Sequence, residues 1–410
     1  MRHGLQPYVE GRNIMRLKST RQVLFASAAL LALSAPAFAL DGGDVLKKIN
    51  AAYAAQGGQI AAGTVAVNGS TVTLNDVTLS AVADPAKKIP VGNITLDGVE
   101  ENNGGYKIKN ARFDNIDYKQ DKVEIKASDI YMSGLVIPAD ATTGTVDALM
   151  FYDEAHSGPI SVSVDGKQAF SLEETSATMS VSDDKNSIGF DLDASGFKAD
   201  LSDVTDPATK DAIEKLKLQA LSGDMTMSGS WEVASGTVDV EEYAIDLDDV
   251  GRLNMSFGFS GYTLAFIKSM QETVKAQAAN PNKEQADQAA SLAMLGLMQQ
   301  LSFVNAEISF EDASITKRAI DYAASQQGMT SDQLAQTIKG MAPIMMASLN
   351  VPELQNMVSA AINTYIDDPK NFSITAAPEK PVPFPMIMGA AMGAPNTLPK
   401  MLGVTVTANE

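Results

Sequence analysis

The stretch Ile188-Gly189-Phe190-Asp191-Leu192-Asp193-Ala194-Ser195-Gly196-Phe197-Lys198-Ala199-Asp200-Leu201 carries two apolar runs of period two, Ile188/Phe190/Leu192 and Phe197/Ala199/Leu201. Successive side chains of a strand point to opposite faces, so such runs bury one face and leave the other in water. A turn is expected between them, which makes the stretch a strand pair. The same period governs residues 63 to about 202. Val65/Val67, Val72/Leu74, Val77/Leu79, Ile94/Leu96, Ile116/Tyr118, Val123/Ile125, Ile130/Met132, Val162/Val164 and Met179/Val181 all alternate with polar residues. One-faced strands of this kind belong to antiparallel meanders. Asn68-Gly69, Asp97-Gly98, Asn103-Gly104-Gly105 and Asp165-Gly166 read as the turns between them.

Working outward from that block, Asp206 and Pro207 predict a short helix over 207–215. Strands resume at Met225/Met227, Trp231/Val233, Val238/Val240, Ile245/Leu247 and Leu253/Met255/Phe257/Phe259, a predicted four-strand meander between Gly223 and Gly261. On the N-terminal side, Asp44 is expected to cap a helix whose Leu46, Ile49 and Tyr53 recur at helical spacing. Beyond residue 262 the period becomes 3.6. Asn282 to Gln285, Thr330 to Gln333 and Asn350 to Glu353 resemble capping boxes. Leu334, Ile338, Met341 and Met345 form one apolar stripe, and Leu354, Met357, Val358, Ala361 and Tyr365 another. Strands are expected at Ala306/Ile308/Phe310, Phe372/Ile374 and Val404/Val406, and residues 378–385 read as an extended proline-rich strap.

The expected fold is mainly β with a helical C-terminal portion (α+β): a long curved antiparallel sheet packed against amphipathic helices. The division reads as a leader (1–39), a short N-terminal helix (40–62), a β-rich meander (63–261) and a helical portion with closing strands (262–410).

Strands such as Gly236-Thr237-Val238-Asp239-Val240 and Ile245-Asp246-Leu247-Asp248-Asp249-Val250-Gly251-Arg252-Leu253 resemble the short repeating strands of AsmA-like bacterial envelope proteins. They also resemble other uncharacterised exported proteins of Gram-negative bacteria. In the AsmA-like group such strands curl into an apolar groove, so the resemblance, which covers about residues 63–260, implies phospholipid handling between membranes.

Residues 15–40 have the layout of an export signal: Arg16, Lys18 and Arg21, an apolar run from Val23 to Leu33, then Pro36 and Ala37-Phe38-Ala39. The run is too short to span a bilayer, so cleavage after Ala39 and a periplasmic protein without an integral span are expected. Residues 1–14, before Met15, read as a misassigned start. Cleavage leaves 371 residues. The leader holds five basic residues and one acid, so the overall charge of −19 becomes −23 after its removal. So acidic a chain repels phosphate backbones and anionic lipid headgroups, which excludes nucleic acid as a partner. There are no cysteines, hence no disulfide, thiolate site or thiol nucleophile, and His156 is the lone histidine past the leader.

Sites for chemistry are sparse. Asp191 to Gly196 matches the opening of a calcium loop, but Ser202 stands where a bidentate Glu belongs, and the alternation favours strands. Ser182/Lys185 and Ser314/Lys317 have Ser-x-x-Lys spacing without the partner motifs of that enzyme class. Ser182 is expected in a β-turn and Ser314 at a helix cap, while His156 is expected in a loop. Met341, Met345, Met346, Met386, Met388 and Met392 offer thioethers for Cu(I), yet at helical spacing methionine serves better as core or as an adaptable apolar lining. No cofactor and no metal are expected.

The functional expectation is a non-catalytic periplasmic envelope protein that binds an apolar ligand such as lipid, or supports envelope integrity. Its groove is expected to be lined by Leu334, Ile338, Met341, Met345, Leu354 and Met357. The alternatives are an envelope hydrolase working with carboxylates alone, for which 49 acids past the leader offer no distinctive pair, and a purely structural or adhesive surface protein whose helices fill the apolar face.

Overall fold

The computed structural model describes residues 40–410 except 55, 56, 83, 143, 348–350 and the side chain of residue 353. The leader, its cleavage site and the Asn350 capping position lie outside the described residues. Helix α1 (Gly42–Ala54) precedes β1 (Gly58–Ala61) and β2 (Thr64–Asn68), and both strands pair with β3 (Thr71–Ala81). The sheet continues through β4 (Asp84–Asn102) and β5 (Gly105–Phe113). After the hairpin of β6 (Ile116–Gln120) and β7 (Val123–Ala127), β8 (Tyr131–Ile137) returns beside β5, and β9 (Glu154–Ser157) pairs with β8. β10 (Ile160–Val164) and β11 (Lys167–Leu172) form a hairpin. β12 (Glu174–Val181) then pairs with β9 and with β13 (Ser187–Asp200). Strands β6, β7, β10 and β11 make a side ladder that rejoins the main sheet where Phe170 of β11 meets Ala199 of β13.

Past α2 (Pro207–Leu216), β14 (Ala220–Glu232), β15 (Thr237–Leu247) and β16 (Gly251–Ser260) extend the sheet strand by strand. The hairpin α3 (Leu264–Ala279) and α4 (Lys283–Met298) intervenes before β17 (Ser302–Asp312). Next come α5 (Ile315–Gln326), α6 (Ser331–Ala347) and α7 (Pro352–Asp367), then β18 (Asn371–Ala376) and β19 (Val382–Pro383), both on β17. The short helices α8 (Phe384–Gly393) and α9 (Leu398–Met401) lead to β20 (Val404–Ala408), which pairs with β18. Every pairing is antiparallel, and the chain is mainly β with its helices concentrated in the C-terminal half.

Two apolar clusters anchor this sheet. In the first, Val45 of α1 packs with Val72, Leu74, Ile94, Leu96, Ile108 and Ile137. In the second, Trp231 and Ile188 meet Tyr262, Leu264 and Ile267 at the start of α3, and the indole N–H donates to the Tyr262 carbonyl at 2.9 Å. At the other end of the strands, α7 rests on β18 and β20, with Tyr365 edge-on to Phe372.

Several local expectations are corrected. Asp41, not Asp44, caps α1, accepting from Gly43 N–H at 2.9 Å and Asp44 N–H at 3.2 Å. The segment 188–200 is one continuous strand, because the slip in its alternation at Ser195-Gly196 is absorbed as a bulge against β14 instead of reversing the chain. Asp97-Gly98 lies inside β4 opposite β5, where Gly98 takes a φ of 63° and a Cβ would fall 2.8 Å from that of Lys109. The meander of 223–261 has three long strands, β14 to β16, not four. β1, within the span read as helical, is part of the sheet. The proline strap ends at Pro383: Phe384 and Pro385 open α8, since a proline's φ suits the first helical turn as well as an extended chain. Other signals match the structure. Asp206 caps α2 through Thr209 N–H, and Thr330 and Gln333 form a reciprocal capping box at α6.

Candidate functional site

Register carries alternation from strand to strand, and here it aligns the apolar positions into one row. From β2 to β12 the directly opposed residues are Val67, Val72, Leu96, Ala111, Met132, Ala155 and Ala177. From β13 to β20 they are Leu192, Met227, Tyr243, Met255, Ile308, Ile374 and Val406. None is charged. In the second half the row is flanked on both sides by further apolar rungs. One runs from Phe190 through Val240 and Phe257 to Ala376, the other from Met225 through Leu253 and Phe310 to Phe372. The opposite face presents Asp191, Ser228, Asn254, Ser309, Ser373 and Thr405.

What lies over this row changes along its length. At Val72, Leu96 and Ala111 it is sealed, with α1 packed over that part of the sheet. From Met132 to Met255 it is half-buried. On β17 and β18 it opens, with Ile308 51% and Ile374 44% exposed and Phe257 of the flanking rung on β16 40% exposed, before it closes at Val406 on β20. Ile308 and Ile374 are direct partners, so the exposure is contiguous. The strands are bracketed by helices at both ends: on the α3 side Tyr262 leans on Phe259 and is backed by Phe266, and Tyr365 of α7 leans on Phe372. Burial pushes the phenols of both Tyr262 and Tyr365 upward, so the aromatic borders of the strip are neutral. Exposed side chains scattered singly are ordinary, whereas apolar side chains joined across neighbouring strands form a continuous patch. At about 4.8 Å per strand, the apolar rungs run roughly 30 Å from β13 to β20, but only the stretch over β16 to β18, roughly 10 Å, is open, since Leu192 to Met255 are half-buried and Val406 on β20 is buried.

The structure divides the six residues expected to line a groove. Leu334 is 7% exposed and belongs to the helical core, Ile338, Leu354 and Met357 are half-buried, and Met341 and Met345 are open. The α6 stripe thus passes from core to surface along its length. The sheet residues Phe257, Ile308 and Ile374 were not among the six, although each appeared as an ordinary strand position. Only the pairing of β16, β17 and β18 joins them.

Candidates for catalysis are dispersed by the fold. His156 is on β9, not in a loop, where its ring stacks on Tyr131 at 4.7 Å. Asp129 and Glu174 approach its two nitrogens at 3.5 and 3.6 Å, but among the described residues no hydroxyl bonds to it as a nucleophile would. Lys185 pairs with Asp147 while Ser182 donates to Asp184, so that Ser-x-x-Lys pair is not a dyad. Ser314 occupies the α5 N-cap position but donates to the Asp249 carbonyl at 2.6 Å, and Lys317 pairs with Asp321. Asp191 and Asp193 project from β13, and no cluster of metal-ligating side chains occurs among the described residues. No helix among them is long and apolar enough to cross a membrane, which says nothing of strands.

Residues 244–409, from the middle of β15 to the end of β20, match the model of a family described as an uncharacterized protein. The chain matches no curated protein.

Proposed function

We propose that this protein is a non-catalytic lipid-binding protein of the Gram-negative cell envelope, exported with cleavage after Ala39, that holds acyl chains along the apolar face of its sheet. The observation that carries this reading is the fourteen-strand apolar row, left open at Ile308 and Ile374 with Phe257 exposed on the rung beside it. A strip whose one side-chain hydrogen-bonding group is the Tyr243 phenol suits a ligand with few such groups to satisfy. The strong negative charge elsewhere favours leaving a headgroup at the rim instead of drawing it inside. The AsmA-like strand pattern points the same way.

Native mass spectrometry of protein purified from its own envelope provides the test. Lipid adducts are expected on the wild type and their loss on Ile374→Asp, with circular dichroism unchanged because the side chain is already open to water. A folded wild type without lipid overturns the reading in favour of a structural protein.

A further inference from the structure

We propose that helix α8, with the last turns of α4, seats this protein on a bilayer that carries anionic phospholipid. The ten residues of α8 include no charged or hydroxyl side chain, and none of them is buried. A helix in water normally hides an apolar face against its own protein. This one does so only in part: Phe384, Ile387 and Met388 are half-buried, while Met386 is 56% and Met392 85% exposed. Its first residue, Phe384, donates its backbone N–H to the Leu301 carbonyl at 3.1 Å, three residues past the end of α4. Near that same end, α4 exposes Leu292 (71%) and Leu295. That bond ties the start of α8 to the segment that follows α4. No charged residue occurs between Asp287 and Glu307, nor between Lys380 and Lys400.

Charge selects the occupant. Lys380 and Lys400 flank α8 in sequence, both are exposed, and neither pairs with a carboxylate among the described residues, although Glu379, also exposed, stands next to Lys380. Ammonium groups at the two margins of an apolar helix meet lipid phosphates when the side chains between them enter the acyl boundary. The rest of this acidic chain is repelled by an anionic surface, which orients the molecule with the charge-free end inward. The seat stands independently of the lipid reading of the sheet. A consequence does rest on that reading: β19 pairs with Phe303, on the outer apolar rung beside Phe259, so lipid leaving the bilayer meets the end of the same face.

Flotation of the protein, purified from its own cells, with vesicles of phosphatidylcholine with and without phosphatidylglycerol tests the seat. The wild type is expected to float, more so with phosphatidylglycerol. The double variant Met386→Asp/Met392→Asp should lose at least about tenfold in vesicle affinity, because each methionine forfeits its apolar transfer and adds a charge. Lys380→Gln/Lys400→Gln should erase the preference for anionic vesicles. Each altered side chain is exposed or half-exposed, so circular dichroism should match the wild type. A wild type that does not float, a double Asp variant that floats equally well, or a wild-type dimer in sedimentation that the Asp pair dissociates would overturn the seat, the last assigning this surface to a second copy. Flotation without co-purified lipid sinks only the sheet reading, and co-purified lipid without flotation sinks only the seat.

Discussion

Leu96 and Ile308 stand in the same row of the same sheet face, yet Leu96 is 2% exposed and Ile308 51%. Their chemistry is nearly identical, so the difference in role is one of cover. Truncating Leu96 removes packed methyls and leaves a cavity under α1. Leu96→Ala is expected to cost ~2–5 kcal/mol in urea unfolding. Ile308→Ala forfeits few contacts and should cost no more than about 1 kcal/mol. Equal losses at the two positions would mean that the β17 end of the strip is core in solution. His156 shows the same dependence on surroundings: a lone imidazole gains two acid neighbours through the pairing of β9 with β8 and β12, which no local spacing encodes.

Among the elements, α1 has the clearest attachment. Val45, Leu46, Ile49 and Tyr53 supply its apolar contacts, and the Tyr106 hydroxyl on β5 donates to Asp44 Oδ2 at 2.7 Å. Burial, then the bond to Asp44 and its charge, push the Tyr106 phenol up to about 12. The folded state holds that proton more tightly than the unfolded chain does. This contribution is therefore complete below pH 10 and is lost as the pH climbs towards about 12. Thermal melts over that interval should fall steeply for the wild type and less steeply for Tyr106→Phe. Parallel slopes would show that the contact does not form. The other helices were legible to different degrees. α2 and α6 follow from Asp206 and from Thr330 with Gln333, whose side chains act within one turn. α8 was not legible, because Pro381, Pro383 and Pro385 suit an extended strap and a helix start equally.

Across the molecule, cover is uneven. The region around β3, β4, β5 and β8 contains the largest fully buried side chains, whereas α3, α4 and α8 bury few residues or none. Local opening should follow that gradient. Amide hydrogen exchange is expected to be slowest in β3 to β5 and fastest in the α3–α4 hairpin and α8, and bound lipid should slow exchange in β16 to β18. Uniform protection across the sheet would contradict this order.

The sequence by itself determined the mainly β class, the one-faced strands, the move to helices after residue 262 and the thin supply of catalytic groups, because period, capping and composition are properties of neighbours along the chain. Tertiary structure alone decided which faces stay open. Bulges such as those between Val240 and Tyr243 and between Gly258 and Phe259 set the register that brings Met255, Ile308 and Ile374 into line. The side ladder of β6, β7, β10 and β11 depends on contacts far apart in sequence. An apolar side chain reads the same in sequence whether a helix covers it or not; burial is a relation between elements, and it was the placement of the helices that sealed the β3 to β5 part of the face and left β16 to β18 open.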